Sequence, residues 1–238
     1  MAFDIPRNVI LPVDTVEVRL DPAPHPFEIA NREEIERNWS AEKLERPALF
    51  DGTVVLLSEL SYAAGRLRGR CHAIRYATFL HWRGNPSIPG AEHAFAQAML
   101  VSRDNALIAI RMASHTVNAG SVYFAAGSFE PMDFVDGVAD IDLNMIREVG
   151  EETGLDISQA RRAGRYHVMS ADGGTVIFRR YFLDLDAEEI AGRIRGFVAK
   201  EAEPEIDGPV IIGGPHNLPE GLKPYMRPLV EWHFSGAE

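Results

Sequence analysis

Three glutamates at helical spacing are the residues of this sequence best suited to chemistry. Glu148, Glu151 and Glu152 stand at positions i, i+3 and i+4, so on a helix their carboxylates share one face. Like charges stacked in this way repel each other by about 0.2–0.5 kcal/mol per pair on an exposed helix, and by more when desolvated. A divalent cation removes that penalty, and carboxylate oxygens suit Mg²⁺ or Mn²⁺ better than zinc. The spacing therefore predicts a metal site that also attracts phosphate groups.

A helix must hold these carboxylates, and the pattern predicts one over residues 140–153. Leu143, Ile146 and Val149 fall on a second stripe, which we expect to face a core. Gly154 follows the last predicted turn, where a left-handed residue commonly ends a helix. A solvated acidic helix face is the competing interpretation of the glutamates. One Arg, three Glu and one Gly at these fixed positions would arise by chance in on the order of one chain in ten thousand.

Residues 147–155, Arg-Glu-Val-Gly-Glu-Glu-Thr-Gly-Leu, resemble the second half of the Nudix box. The full box reads Gly, five residues, Glu, seven residues, then Arg-Glu-apolar-x-Glu-Glu-x-Gly-apolar. At the standard spacing the Gly and Glu positions of the first half hold residues that do not fit. Six residues upstream, Gly127 and Asp133 fit as Gly, five residues and an acidic residue. We therefore predict an insertion, residues 134–139, between loop and helix. Asp140 is the alternative for the first acidic position, or it is the N-cap of the helix.

The resemblance implies a fold, a reaction and a set of ligands. Nudix hydrolases have an α/β/α sandwich with a mixed sheet, and their box glutamates hold Mg²⁺ or Mn²⁺. Water then attacks a phosphoanhydride bond in a nucleoside diphosphate linked to another group. The residues implied as metal ligands are Glu148, Glu151, Glu152 and the carbonyl of Gly127. Glu148 is implied as a ligand or the base, and Arg147 as an orienting partner for the glutamates.

Other charged residues extend the predicted site. Arg111 and Arg179 are the candidates for binding substrate phosphates. Many Nudix hydrolases also use a carboxylate from a loop far downstream of the box. The candidates for that role here are Glu201, Glu203 and Glu205, with a solvated acidic loop as the competing interpretation.

The N-terminal part has a separate organisation. A Gly- and Pro-rich link predicts a boundary between a smaller α+β extension, residues 1–92, and a Nudix domain, residues 93–238. The order of aromatic and turn residues in the extension weakly resembles the Nudix branch that hydrolyses UDP-glucose and UDP-galactose. That resemblance implies stacking of Tyr76, Phe79 or Trp82 on a uracil or sugar. The alternative is a structural extension that widens the sheet or forms a dimer face.

Hydrophobic periodicity and turn residues predict the remaining elements of an α/β fold. The predicted strands cover residues 9–20, 53–57, 72–80, 94–102, 106–112, 121–126, 164–170, 175–185 and 209–212. The predicted helices cover residues 31–44, 187–199 with Asp186 as cap, and 222–234. Asp172-Gly173-Gly174 predicts a hairpin turn.

Composition excludes several classes of protein. The net charge of −11 argues against long nucleic acid or an anionic membrane as partner. The single cysteine, Cys71, excludes a disulfide framework within the chain and is expected to be a buried structural thiol. The first residues lack a positive region followed by a long apolar core, so we expect no signal peptide and a cytoplasmic protein.

The sequence thus predicts a Mg²⁺-dependent Nudix pyrophosphohydrolase. Its substrate is expected to be a small nucleoside diphosphate derivative, with a UDP-sugar as first candidate, and its product a nucleoside monophosphate. Coenzyme A, ADP-ribose and capped RNA are the other substrate classes. The alternative function is a catalytically weak, nucleotide-binding or regulatory protein with a Nudix fold. Homodimers are frequent in the family. The number of metal ions, the general base and the oligomeric state are not determined by the sequence.

Overall fold

A computed structural model describes residues 2–171 and 174–236, so the predicted turn residues Asp172 and Gly173 lie outside the described part. The strands are β1 (Phe3–Asp4), β2 (Ile10–Val13), β3 (Thr15–Asp21), β4 (Thr53–Ala63), β5 (Arg66–Arg75), β6 (Ala94–Val101), β7 (Leu107–Met112), β8 (Val122–Tyr123), β9 (Phe134–Val135), β10 (Val138–Ala139), β11 (Arg161–Arg162), β12 (Tyr166–Ala171), β13 (Gly174–Phe182) and β14 (Ile206–Ile212). The helices are α1 (Pro26–Ala30), α2 (Arg32–Glu45), α3 (Tyr76–Gly84), α4 (Ile141–Thr153), α5 (Ala187–Val198) and α6 (Met226–Phe234). The predicted α/β class is confirmed.

The chain forms two compact units, and the first contains residues up to Ala96 together with segments 128–141 and 166–177. Its six-stranded sheet has the order β1-β4-β5-β3-β10-β9. The pairs β1–β4 and β3–β5 are parallel, whereas β4–β5, β3–β10 and β9–β10 are antiparallel. The sheet is therefore mixed, as predicted. Strands β12 and β2 also pair antiparallel in this unit.

Helix α3 corrects one sequence prediction. Residues 72–80 were expected to be one strand, but β5 ends at Arg75 and α3 begins at Tyr76. The side chain of Asp51 accepts a hydrogen bond from the Ala77 amide at 2.9 Å, which satisfies a free N–H in the first turn of the helix. Residues 77–82 are all buried, so the segment shows no amphipathic period that would reveal a helix.

The second unit contains residues 97–127 and 142–165 and the described part of the chain from Phe178 onward. Its strands follow the order β14-β7-β6-β13, with β8 paired to β7 and β11 paired to β13. Helix α5 begins as predicted after Asp186, whose amide donates to the side chain of Glu189 at 3.0 Å in a capping box. Helix α6 is shorter than predicted, because Leu222 bridges Val122 of β8 in extended conformation.

Segments 128–141 and 166–177 lie beyond the boundary predicted at residue 92, yet they belong to the first unit. Separate roles for residues 1–92 and 93–238 stay a prediction. Among residues 2–171 and 174–236, no helix is long and apolar enough to cross a membrane.

Candidate active site

Helix α4 places two of the three predicted glutamates in the protein interior. Glu148 and Glu152 are 8% and 6% exposed and lie on the face that also buries Met145 and Val149. Leu143, expected in the core, is 41% exposed, so that part of the prediction is wrong. The buried face of the helix is therefore rotated from the predicted one towards the glutamates and includes Met145, Glu148, Val149 and Glu152.

Gly127 and Glu148 lie in direct contact. A Cβ atom on residue 127 would overlap the carboxylate of Glu148, so only glycine leaves room for this carboxylate. The close approach of Gly127 to α4 therefore depends on the absence of a side chain at residue 127. Gly154, at the other end of α4, has a φ of 70° and confirms the predicted left-handed helix end.

Glu152 carries a carboxylate in an environment that disfavours its charge. Burial raises its pKa well above the ordinary value, and the neighbouring carboxylate of Glu148 raises it further. A hydrogen bond of 2.9 Å from the amide of Ala126 lowers the pKa, and this bond also fixes the direction of the side chain. The charges of Glu205 and Glu151 raise the pKa by smaller amounts. Several negative charges thus converge on one buried position.

Arg147 contacts the other two glutamates of the box. Its guanidinium donates to Glu148 Oε1 at 2.8 Å and to Glu151 Oε2 at 2.9 Å. The Arg147 side chain is 15% exposed, whereas that of Glu151 is 59% exposed. This geometry suits the predicted role of Arg147 as an orienting partner. Glu151 lies on the solvent side of α4, away from the buried pair.

The three glutamates predicted as metal ligands do not form a preassembled cage. Within the described part of the chain, no three His, Cys, Asp or Glu side chains lie close enough together to hold one ion. Glu148 and Glu152, without a third carboxylate of the described residues close enough to complete a cage, provide a buried pair of hard oxygen donors. Such a pair suits Mg²⁺, which binds through one or two carboxylates and completes its coordination with waters and substrate phosphates.

The structure distinguishes among the three downstream glutamates. Of Glu201, Glu203 and Glu205, Glu205 is the one whose charge contributes to the raised pKa of Glu152. Its backbone carbonyl accepts a hydrogen bond of 2.9 Å from the amide of Ala113, which places it just before β14. All three residues are exposed, so burial does not distinguish them.

Two further polar residues near Glu152 were not predicted from the sequence. Gln97 is fully buried, and its side-chain amide donates to the hydroxyl of Tyr225 at 2.8 Å. Burial raises the pKa of Tyr225, and the charge of Glu152 contributes to that rise. The one sequence signal for this pair was a glutamine inside the apolar strand β6.

Both predicted phosphate-binding arginines are held by protein groups. Arg179, whose side chain is 12% exposed, donates through Nη1 to both carboxylate oxygens of Asp142, at 2.9 and 3.2 Å. Tyr181 and Arg162 contact the same carboxylate at 2.5 and 2.8 Å. Arg111 donates through one guanidinium nitrogen to the backbone carbonyls of residues 120 and 220, each at 3.1 Å.

The remaining predicted residues lie in the first unit. The carboxylate of Asp133 is fully buried and accepts a hydrogen bond of 2.9 Å from the amide of Glu130, so it closes its own turn. Cys71 is buried, and burial raises the pKa of its thiol to about 12, which suits a structural thiol. Phe79 and Trp82 belong to a hydrophobic cluster, with Tyr76 packed at its margin.

No family model and no curated protein matches this sequence. Among solved structures, the MutT protein from Methanosarcina mazei Go1 is 17% identical and matches 60% of this chain and 94% of its own, with a TM-score of 0.42. The ORF135 protein of E. coli is 18% identical over 60% of this chain and 89% of its own, with a TM-score of 0.38. The NUDIX domain of NrtR from Shewanella oneidensis, in a complex with ADP ribose, is 10% identical over 56% and 81%, with a TM-score of 0.34. At these scores no function follows from the likeness.

Proposed function

We propose that this protein is a Mg²⁺-dependent pyrophosphohydrolase of the Nudix type. It would hydrolyse a phosphoanhydride bond in a nucleoside diphosphate linked to another group and release a nucleoside monophosphate. The observation that carries the proposal is the pair Glu148 and Glu152, two carboxylates buried on one face of α4 in mutual electrostatic contact. Burial of two neighbouring carboxylates costs free energy. A bound cation would offset that cost.

Glu148 and Glu152 would hold the cation, with the carbonyl of Gly127 as a further ligand. A bound Mg²⁺ ion supplies charge neutralisation at the phosphate oxygens and a lower pKa of a coordinated water. Glu151 lies on the exposed side of the helix, where it would be accessible to a second ion or to an ion bound to the substrate phosphates. Arg147 keeps Glu148 and Glu151 oriented through its two ion pairs.

Glu205 is our candidate for the general base. Its charge contributes to the raised pKa of Glu152, and its exposed position gives it access to a water molecule. Glu148, the other candidate, is already paired with Arg147. A carboxylate with a salt-bridge partner is a weaker proton acceptor than one without.

Several nucleoside diphosphate derivatives are candidates for the substrate. A UDP-sugar is our first candidate, on the resemblance of the N-terminal residues to the UDP-sugar-hydrolysing branch. Stacking on Phe79 or Trp82 would require these side chains to leave a buried cluster, whereas Tyr76 has some exposed surface. ADP-ribose and coenzyme A are the next substrates to test. A cytoplasmic location and a homodimer stay predictions.

A second function has a specific observation in its favour. The described residues hold no cluster of three carboxylates that could bind a metal ion. The carboxylate of Asp133 accepts a hydrogen bond from the amide of Glu130 within its own turn. A nucleotide-binding protein with little or no hydrolysis would show these features too.

One experiment separates the two functions. The protein is incubated with Mg²⁺ and a panel of UDP-glucose, UDP-galactose, ADP-ribose, dinucleotides and coenzyme A, and nucleoside monophosphate is quantified. The proposal expects Mg²⁺-dependent release from at least one compound and loss of release in Glu152→Gln. Absence of turnover with tight binding of one compound would establish the binding protein instead.

A further inference from the structure

The insertion predicted in the box, residues 134–139, folds as a two-stranded hairpin. Val138 pairs with Val135 and Ala139 pairs with Phe134 in antiparallel register. The two residues of the tip, Asp136 and Gly137, have φ angles of 50° and 74°. Two consecutive left-handed residues form the tight turn that matches the twist of a hairpin, and Asp-Gly is a preferred sequence for it.

The base of the hairpin is closed by its flanking residues. The amide of Asp140 donates to the carbonyl of Asp133 at 2.8 Å, so the chain enters and leaves the insertion at nearly the same place.

The hairpin is joined to the sheet of the first unit. Val138 pairs with Arg19 of β3, and the amide of Leu20 donates to the carbonyl of Gly137 at 3.0 Å. Strand β3 is itself paired with β5 over its whole length. The hairpin thus extends a sheet built from the N-terminal residues.

The loop before the hairpin is held by the same unit. The amide of Val55 in β4 donates to the carbonyl of Phe129 at 2.9 Å, and Phe129 is 4% exposed. Ser128 bridges Phe95, and its hydroxyl lies 3.0 Å from Nε2 of His93. Residues of β4 and β6, together with the side chain of His93, therefore hold the start of this loop.

We propose that the hairpin is a clamp that attaches the box loop, residues 128–133, to strand β3. The N-terminal residues then position the loop that directly follows Gly127 in the chain. The connection is covalent at both ends, since Gly127 precedes the loop and α4 follows the hairpin. This inference rests on the proposed function only for its effect on turnover.

Two variants open the clamp in different ways. Deletion of residues 134–139 joins Asp133 to Asp140, whose backbone groups are already hydrogen-bonded. Gly137→Val keeps the length but places a β-branched residue at a φ of 74°, which is strained. Gly90→Val is the matched control, because Gly90 has a φ of 95°, lies in the same unit and, like Gly137, has open space around its α-carbon.

The test measures amide hydrogen exchange in residues 128–133 and steady-state hydrolysis of the panel compound with the highest rate. Both clamp variants are expected to exchange at least about tenfold faster in this loop and to lose at least about tenfold in kcat with little change in KM. Gly90→Val should lower the melting temperature about as much as Gly137→Val but leave loop exchange and kcat unchanged. Clamp variants with wild-type exchange and kcat would overturn the proposal.

Hydrogen exchange requires no turnover, so the clamp remains testable if the panel yields no product. In that case the proposed function fails, while slow exchange in the wild type and fast exchange in Gly137→Val would still support the clamp. If the deletion variant does not fold, Gly137→Val and Gly90→Val decide the question alone.

Discussion

The carboxylate of Glu148 rests against the α-carbon of Gly127, in space that any side chain at residue 127 would fill. One residue belongs to a loop and the other to helix α4, so this contact fixes how the helix meets the loop. The amide of Ala126, the residue before Gly127, donates a hydrogen bond to the second buried carboxylate, Glu152, and orients it. The loop and the helix are therefore fitted to each other at two successive positions.

Gly127→Ala should abolish most of the hydrolytic activity. The added methyl group would displace the Glu148 carboxylate, and a misplacement of about 1 Å at a reacting centre can cost about a hundredfold in rate. Gly164→Ala is the control, because a Cβ at Gly164 meets nothing within 4 Å. Steady-state kinetics of both variants at saturating Mg²⁺ provide the measurement. Equal rates for the two would show that the contact is irrelevant to catalysis.

Glu205→Gln should lower kcat by about a hundredfold or more, the usual contribution of a general base. Glu201→Gln removes the same charge from the same loop, at a residue that does not affect the pKa of Glu152. It should retain nearly full activity. The comparison is made at constant ionic strength, and similar losses in both variants would refute the assignment of Glu205.

Asp142→Ala should destabilise the second unit by about 3 kcal/mol, because it removes the carboxylate with which the partly buried Arg179 forms an ion pair. Tyr181 and Arg162 lose the same acceptor. Glu188→Ala, which breaks an exposed pair with Arg195, should cost no more than about 0.5 kcal/mol. Urea unfolding at neutral pH measures both changes, and a loss below about 1 kcal/mol for Asp142→Ala would contradict the structural role of the cluster.

His93 should make stability fall at mildly acidic pH. Burial lowers the pKa of His93 from the ordinary value of 6.5 to about 3. Below pH 6.5 the unfolded chain therefore binds a proton that the folded chain does not, so the contribution is complete above pH 6.5 and declines as the pH falls towards 3. Between pH 7 and pH 5 this group should cost about 2 kcal/mol of unfolding free energy.

His93→Gln should reduce that pH dependence by about the same amount, whatever its effect on stability at pH 7. His115→Gln changes an exposed histidine and should leave the pH dependence as in the wild type. Urea titrations at the two pH values give the comparison. An unchanged slope in His93→Gln would mean that His93 titrates normally in the folded protein.

Local signals account for the parts of the fold that could be predicted from the sequence. The pattern Asp186-x-x-Glu189 and the glycine at residue 154 determine helix ends through bonds and φ angles within a few residues of each other. Helix α3 was missed because its burial on nearly all sides hides the helical period, and its first turn is capped by Asp51 from a distant part of the chain.

The same limit applies to the candidate site. Glutamate spacing indicated which carboxylates share a face, but the burial of Glu148 and Glu152 depends on the loop that packs on them. Arg179 looked available for phosphate because its partner, Asp142, is 37 residues away in sequence. The selection of Glu205 among three similar glutamates likewise depends on tertiary proximity alone.

The central claim is that Glu148 and Glu152 form a divalent-cation site, and binding of Mn²⁺ followed by electron paramagnetic resonance tests it directly. The wild type should bind the ion, and Glu152→Gln should bind at least about tenfold more weakly, the usual order of loss when metal coordination is disturbed. In the absence of cations Glu152→Gln should be the more stable protein, because it removes a carboxylate whose pKa is raised by burial. Glu188→Gln, at an exposed side chain, should bind Mn²⁺ as the wild type does. Wild-type affinity in Glu152→Gln would contradict the account.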